Sequence, residues 1–392
     1  MSTSSTDNTE RPRASWLRRL GLPALAAVAI GAVAGGAYYY FVELRNPGVR
    51  RTNPAVARRV ASTHTLVSIG GVEDTTTPAF ALIGRAGSSH VLVPVSPSLV
   101  VEVPGLGPRT IALALRDAGP GAAAVALANT LRVTVPSSMA ATNAAVATTA
   151  DEVGGVEVTV PRTLRTFTNG VLERAFSSGP THMTGADFVR FMTGRYAEET
   201  QLELDARQSA GWRGFLTAVA GPGGKDLLRG WTTDIAKPGL LRLLRESAPS
   251  PVEPRLPVSA IGLAGERLVR IDEARLADFR QTLADWSNGA ETVDGRRIRL
   301  IVAADGPLGP LVGRILVNAG YVVEISGKAA KPAATTRIAV SPAITDAEAT
   351  GKDLEGLLGT GSVRVSTDSD TAADIMLVIG MDWAEANGFP QR

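Results

Sequence analysis

The sequence contains no cysteine and only three histidines, His64, His90 and His182. That excludes disulfide frameworks, thiolate zinc sites and cysteine nucleophiles, and it leaves a histidine-rich metal centre poorly supplied. Aromatic residues are scarce at 5%, and 20% charged residues accompany 44% hydrophobic ones, a balance that excludes both wholesale disorder and a many-span membrane protein. Catalogue motifs are missing too. The loop GPGGKD (221–226) has neither the glycine spacing nor the hydroxyl residue of a phosphate-binding P-loop. There is no G-x-S-x-G elbow, no H-E-x-x-H helix, no calcium-binding EF-hand loop and no N-x-S/T sequon. Basic stripes interleaved with aromatics are also lacking, so nucleic acid is not an expected partner.

What is present starts with charge distribution. The net charge of +2 over 392 residues conceals a basic N-terminus: residues 1–60 carry nine arginines against Asp7, Glu10 and Glu43, a local +6, so the remainder totals −4. Within that basic stretch lies LGLPALAAVAIGAVAGGAYYYFV (20–42), 23 residues without a charge, enough at 1.5 Å per residue to cross about 30 Å of hydrocarbon. Tyrosines and Phe41 close one end and Trp16 with Arg18 and Arg19 the other, as interfacial anchors do. The run is too long, and ends too bulky, for a cleaved signal peptide. The expected layout is a tail (1–19), a transmembrane anchor (20–42) and an arginine-rich juxtamembrane stalk (43–61) able to lie on anionic headgroups or simply to be solvated. Arginines flank both sides of the span, so the positive-inside count does not decide its orientation.

Beyond residue 62 the pattern predicts α/β architecture. Strands are expected at 65–69, 80–83, 91–95, 99–103, 132–135 and 156–160, and helices at 122–131, 140–152, 184–195 and 199–220. The glycine-rich 221–225 ends a first domain (62–220), and the proline-rich ESAPSPVEPRLP (246–257) breaks a connecting segment (221–296) that carries a helix at 272–286. A smaller α/β domain (297–386) opens with strand RIRLIVAADG, helix PLGPLVGRILVNAG and strand YVVEISG.

Three stretches, VGGVEVTVP (153–161), SGPTHMTGADFVRFMTGRY (178–196) and LDARQSAGWRGFLTAV (204–219), together with LVSIGGVED (66–74), VVEVPGLG (100–107) and AGPGAAAVALANTL (118–131), resemble in order and spacing the LytR-CpsA-Psr (LCP) domain of bacterial cell envelopes. Residues 297–384, closing on IMLVIGMDW, resemble the LytR C-terminal domain. The resemblance implies an N-terminal transmembrane helix with a cytoplasmic tail, an exported LCP-like α/β/α sandwich with a mixed sheet, and a smaller C-terminal α/β domain. It also implies transfer of a phospho-glycopolymer from a polyprenyl-pyrophosphate carrier to peptidoglycan, with Mg²⁺ as cofactor. Such chemistry needs guanidiniums for the pyrophosphate, carboxylates for the metal and an apolar groove for the prenyl chain.

Against that implied pattern the sequence is depleted. Thr75, Thr76, Thr77 and Pro78 stand where the family has Arg-Ser-Asp-Thr, and Ser96, Pro97 and Ser98 where it has Pro-Arg-Asp. One arginine of each implied pair remains: Arg195, whose partner position holds Thr193, and Arg207, whose partner position holds Leu204, with Gln208 retained. Arg195 and Arg207 are therefore phosphate-binding candidates, Arg109 is a substitute cation, and Asp74 (or Glu73) is a displaced metal ligand. His182 reads as a capping or core histidine at a helix start. The expectation is a degenerate LCP homologue that binds or scaffolds glycopolymer or its lipid carrier without efficient catalysis. The alternatives are a working phosphotransferase with relocated ligands, and a platform for envelope-assembly proteins.

Overall fold

The computed structural model describes residues 64–70, 76–86, 89–133, 135–221, 227–233, 237–248, 251–261, 268–286, 296–302, 308–329, 331–366 and 373–389. The chain divides into Met1–Pro54 and Ala55–Arg392, and every described residue belongs to the second unit. The expected tail, anchor and stalk, and the candidates Glu73 and Asp74, lie outside the described residues.

The first sheet is built on β1 (Thr65–Ile69), whose TLVSI sequence is buried throughout. Strands β2 (Ala79–Ala86) and β3 (Ser89–Val95) follow as antiparallel neighbours. A separate pair, β4 (Val100–Val103) and β5 (Gly107–Thr110), leads into helix α1 (Ile111–Leu131). Strand β6 (Ser137–Ala141) then returns parallel to β1, which makes the sheet mixed. Successive residues of β1 and β2 alternate between two cores. Val67, Ile69, Ala81 and Ile83 face one, and Leu66, Phe80 and Leu82 face the other. Helix α1 covers the second face with Ala123, Leu127 and Leu131. Helices α2 (Asn143–Glu152), α3 (Gly185–Thr193) and α4 (Gln201–Ala220) cover the first with Val146, Phe188, Phe191, Trp212 and Phe215. The result is the expected three-layer α/β/α arrangement. Helix α1 is long and apolar enough to span a bilayer, yet here it is a core helix.

Three local expectations need correction. The helix expected at 122–131 starts eleven residues earlier, at Ile111, because Thr110 Oγ1 caps it by accepting from Leu113 N. The Gly119–Pro120 pair is a kink inside it, with Gly119 at φ +80°. None of the described residues of the strand expected at 132–135 is in a strand: Arg132 closes α1 in the left-handed conformation, and the strand is SSMAA immediately after Pro136. Small residues carry little intrinsic β preference, so burial between two neighbouring strands decides the conformation. Thr142 then caps α2, taking 140–142 out of the expected helix.

After α2 the chain forms β7 (Val156–Val160), a hairpin of β8 (Leu164–Thr168) and β9 (Val171–Phe176), and β10 (Gly179–Met183), which pairs antiparallel with β7. The stretch from 227 to 286 packs on this body. Strand β11 (Trp231–Thr233) extends the first sheet beside β6, and helix α5 (Lys237–Ser247) follows it. Strands β12 (Val258–Ile261) and β13 (Leu268–Ile271) pair with each other, Leu99 bridges Val269, and helix α6 (Glu273–Trp286) adds Leu276 and Phe279 to the second core.

The C-terminal sheet has the order β15-β14-β18-β16-β17, formed by β14 (Arg297–Val302), β15 (Val322–Lys328), β16 (Arg337–Val340), β17 (Ser362–Val365) and β18 (Ile375–Ile379). Helices α7 (Leu308–Asn318), α8 (Ala347–Leu358) and α9 (Met381–Ala386) complete it around Leu300, Val312, Leu354 and Trp383. Its edge strand β15 is covered by side chains of the first body, which removes a template for strand addition. Asn129 Nδ2 donates to Val323 O and Val323 N donates to Asn129 Oδ1, both at 2.8 Å. Glu102 Oε1 accepts from Ser326 N at 2.8 Å and Ser326 Oγ at 2.6 Å, while burial raises the carboxyl's pKa against those two bonds. Gly309 and Gly313, four residues apart on α7, admit the Pro104–Gly105 turn: a Cβ on Gly309 would lie 2.5 Å from Gly105 Cα. We predict that Asn129→Leu, which strands the buried Val323 amide and carbonyl, lowers unfolding free energy by about 2–4 kcal/mol in urea titration. Gly309→Ala, which forces two backbones apart, should expose the junction to limited proteolysis.

Candidate functional site

Two turns and one helix start define the site. Thr200 opens α4 with a capping box: Glu203 N donates to Thr200 Oγ1 at 3.3 Å, and Thr200 N donates to Glu203 Oε2 at 2.8 Å. That geometry aims the first two turns of α4 at the segments preceding β2 and following β3. Gln201 Nε2 donates to Ser96 Oγ at 2.8 Å and to Asp205 Oδ1 at 2.7 Å, and the hydroxyls of Ser96 and Ser98 bond at 3.0 Å. One turn further, Gln208 Nε2 reaches Met192 O at 3.1 Å and Pro78 O at 3.4 Å. Arg195 Nε donates to Thr77 Oγ1 at 3.1 Å. The turns carrying Thr76–Pro78 and Ser96–Ser98 therefore meet at α4, together with Arg195 and Gln208.

Arg195 and Arg207 take opposite roles in this arrangement. Arg195 is exposed. Arg207 is 0% exposed, and its Nε and Nη2 hold both oxygens of Glu199 at 2.6 and 3.0 Å, Nη2 also donating to Gly194 O at 2.9 Å. Its guanidinium lies 4.8 Å from the Tyr196 ring centroid and 5.7 Å from that of Phe191. Nη1, with no hydrogen-bond partner, is left to those aromatic faces. Burial pushes the Tyr196 hydroxyl up to about 12, so it remains a neutral donor, bonded to Arg190 O at 2.7 Å. Asp205 is half-buried. Desolvation pushes its carboxyl up to about 6 against the hydrogen bonds of Gln201 and Ser96, which pull it down, with the Glu199 charge adding to the rise.

The remaining candidates are elsewhere. Arg109 on β5 pairs through Nη1 with Asp117 Oδ2 at 2.8 Å and donates to Leu106 O, and no described contact joins it to the α4 group. His182 is neither a cap nor a core residue. It lies exposed on β10, Nδ1 2.7 Å from Glu157 Oε1, over Gly155, while Thr184 provides the cap of α3. Glu199, Gln201 and Asp205 went unnoticed in the sequence; the i,i+4 spacing of Gln201 and Asp205 was the available signal. Among the described residues no group of three or more His, Asp or Glu is arranged to hold a metal ion. Among the described residues the two acids at α4 do not fit Mg²⁺, since Glu199 is engaged by Arg207 and Asp205 by Gln201 and Ser96. A cleft of about 680 Å³ opens beside β4, β13 and β15, lined by Glu102, Asn129, Arg132, Arg270 and Asp272 and by none of the α4 group.

No protein-family model matches the chain, and no curated protein matches it. Among solved structures, that of B. subtilis TagV is similar at 12% identity over 59% of this chain and 98% of its own, with a TM-score of 0.49. A transcriptional regulator from Enterococcus faecalis is similar at 14% over 61% and 91%, TM-score 0.49, and a LytR-Csp2A-Psr enzyme from Actinomyces oris at 17% over 58% and 92%, TM-score 0.45. What the site can do follows from its own geometry.

Two predictions arise. Removing either partner of the Arg207–Glu199 pair leaves an uncompensated buried charge, so Arg207→Ala and Glu199→Ala should each destabilise by about 3–5 kcal/mol, with Arg207→Leu/Glu199→Leu together costing much less than the sum. Urea unfolding of the four proteins checks this. For Asp205 the folded-state pKa exceeds the unfolded value, so the folded chain binds the extra proton. Stability is then greatest below about pH 4, falls as pH rises to about 6 and stays lower above it. Asp205→Asn should flatten that slope and gain roughly 2 kcal/mol at pH 7.

Proposed function

We propose that this chain is a membrane-anchored, exported cell-envelope protein whose LCP-like domain binds a polyprenyl-pyrophosphate-linked glycopolymer, or its carrier, without efficient phosphoryl transfer. The observation that carries this reading is the convergence at α4 of the two turns that the resemblance assigns to the phosphate site, now carrying Thr77, Ser96 and Ser98, with the exposed guanidinium of Arg195, which no carboxylate among the described residues holds, whereas Arg162 at the helix start is paired with Glu203. Hydroxyls and one guanidinium can donate to phosphate oxygens. The electrostatic clamp that phosphoryl transfer demands needs several cations, and Arg207 is held by Glu199. The anchor at 20–42 would hold the domain at the leaflet where a lipid-linked substrate is presented, with the tail cytoplasmic and peptidoglycan within reach.

Saturable binding of a short-chain polyprenyl pyrophosphate to the full chain in detergent, followed by calorimetry, tests this reading. Arg195→Ala should weaken binding by the loss of one charge-assisted hydrogen bond, about 1.5–3 kcal/mol or roughly 10- to 150-fold. Asp205→Asn, which removes a carboxylate that is negative at neutral pH, should strengthen binding at pH 7. Binding that is absent, or that ignores Arg195, contradicts the proposal.

A further inference from the structure

The β8–β9 hairpin presents an exposed face that combines two arginines with two large apolar residues. Its base is fixed: Leu164 and Phe176 are 1% and 6% exposed, and Phe176 meets Phe191 and Tyr196 edge-on at 5.6 and 6.0 Å. Its turn is fixed as well, since Asn169 (φ +52°) and Gly170 (φ +80°) adopt the left-handed pair that a two-residue hairpin turn requires. The tip is apolar. Of the six large hydrophobic side chains exposed among the described residues, Phe167 (68%), Val171 (60%) and Leu172 all lie here.

Register places these residues. Arg165 lies opposite Arg174, Thr166 opposite Glu173, and Phe167 opposite Leu172. Alternation along each strand puts Arg165, Arg174, Phe167 and Leu172 on one face and Glu173 on the other. Two like charges directly opposite each other on a two-stranded ribbon are destabilising, and neither guanidinium has a hydrogen bond or ion pair among the described residues. An external anion would relieve both. A soluble polyanion would still leave Phe167 and Leu172 in water, whereas a bilayer surface satisfies both features. Two residues of strand rise, about 7 Å, separate the arginine pair from the apolar pair. Apolar faces of interfacial elements bury about 5–10 Å into the headgroup/acyl boundary, so an offset of about 7 Å lets the apolar pair enter while the arginine pair stays among the headgroups.

We propose that the β8–β9 hairpin docks on an anionic lipid surface, with Arg165 and Arg174 on headgroup phosphates and Phe167 and Leu172 at the acyl boundary. This does not depend on ligand binding at α4. The absence of cysteine makes the test clean: Thr168→Cys, on the opposite face of the tip, carries a polarity-sensitive fluorophore in the full chain reconstituted in vesicles. With phosphatidylglycerol present, emission should rise roughly twofold or more as the probe leaves water, and brominated acyl chains should quench it. In pure phosphatidylcholine the rise should be much smaller. Arg165→Gln/Arg174→Gln and Phe167→Asp should each return the probe to its aqueous level, and a probe at Lys352→Cys on α8 should stay aqueous throughout. Emission at Thr168→Cys that matches the Lys352→Cys control in anionic vesicles overturns the proposal. Quenching unchanged by the double arginine variant, or a rise produced by a soluble polyanion without vesicles, also overturns it.

Discussion

The buried pairing of Arg207 with Glu199 is the constraint on which the α4 site depends. A guanidinium taken fully out of water is tolerated only if its charge is matched and its donors are used. Here Nε and Nη2 donate to both oxygens of Glu199 and to the carbonyl of Gly194, Nη1 alone lacks a hydrogen-bond partner, and the guanidinium lies against the Tyr196 and Phe191 rings. The pair ties the loop between α3 and α4 to the second turn of α4. The next residue, Gln208, extends the tie to Met192 and Pro78. The position of Arg195 beside Thr77 follows from this packing.

The same interaction defines what the site lacks. A cation engaged bidentately by a buried carboxylate cannot be given to a pyrophosphate without leaving that carboxylate charged and unpaired, a penalty of several kcal/mol. Among the described residues the remaining ligands are weaker: the exposed guanidinium of Arg195, a group of hydroxyls, and a half-buried acid that is negative at neutral pH. With a net charge near −4 beyond residue 60, no general cationic field compensates.

Some of this was legible in the sequence and some was not. Strand β7 is legible at its true limits because a double glycine and Pro161 bracket alternating valines, and α4 is legible from its amphipathic pattern to within two residues of its start, the Thr200–Glu203 capping box fixing that start at Gln201. Strand β6 was missed because Ser, Met and Ala take their conformation from neighbours. The β8–β9 hairpin was missed despite Asn169–Gly170, the strongest short-range hairpin signal, flanked by alternating residues. At the site, the resemblance pointed to Thr77, Ser96, Arg195 and Arg207, but spacing could not tell an inward arginine from an outward one. That distinction rests on Glu199, eight residues before Arg207 and outside the helix.

The central claim is binding without transfer, and a single-turnover assay tests it most directly. Excess full-length chain is mixed with a labelled polyprenyl-pyrophosphate-linked sugar, Mg²⁺ and a peptidoglycan acceptor, and bound and converted label are counted together. The account predicts that label co-migrates with the chain intact, with no polyprenyl phosphate released above the protein-free rate. Release of polyprenyl phosphate with matching incorporation into peptidoglycan, lost in Arg195→Ala, would contradict it.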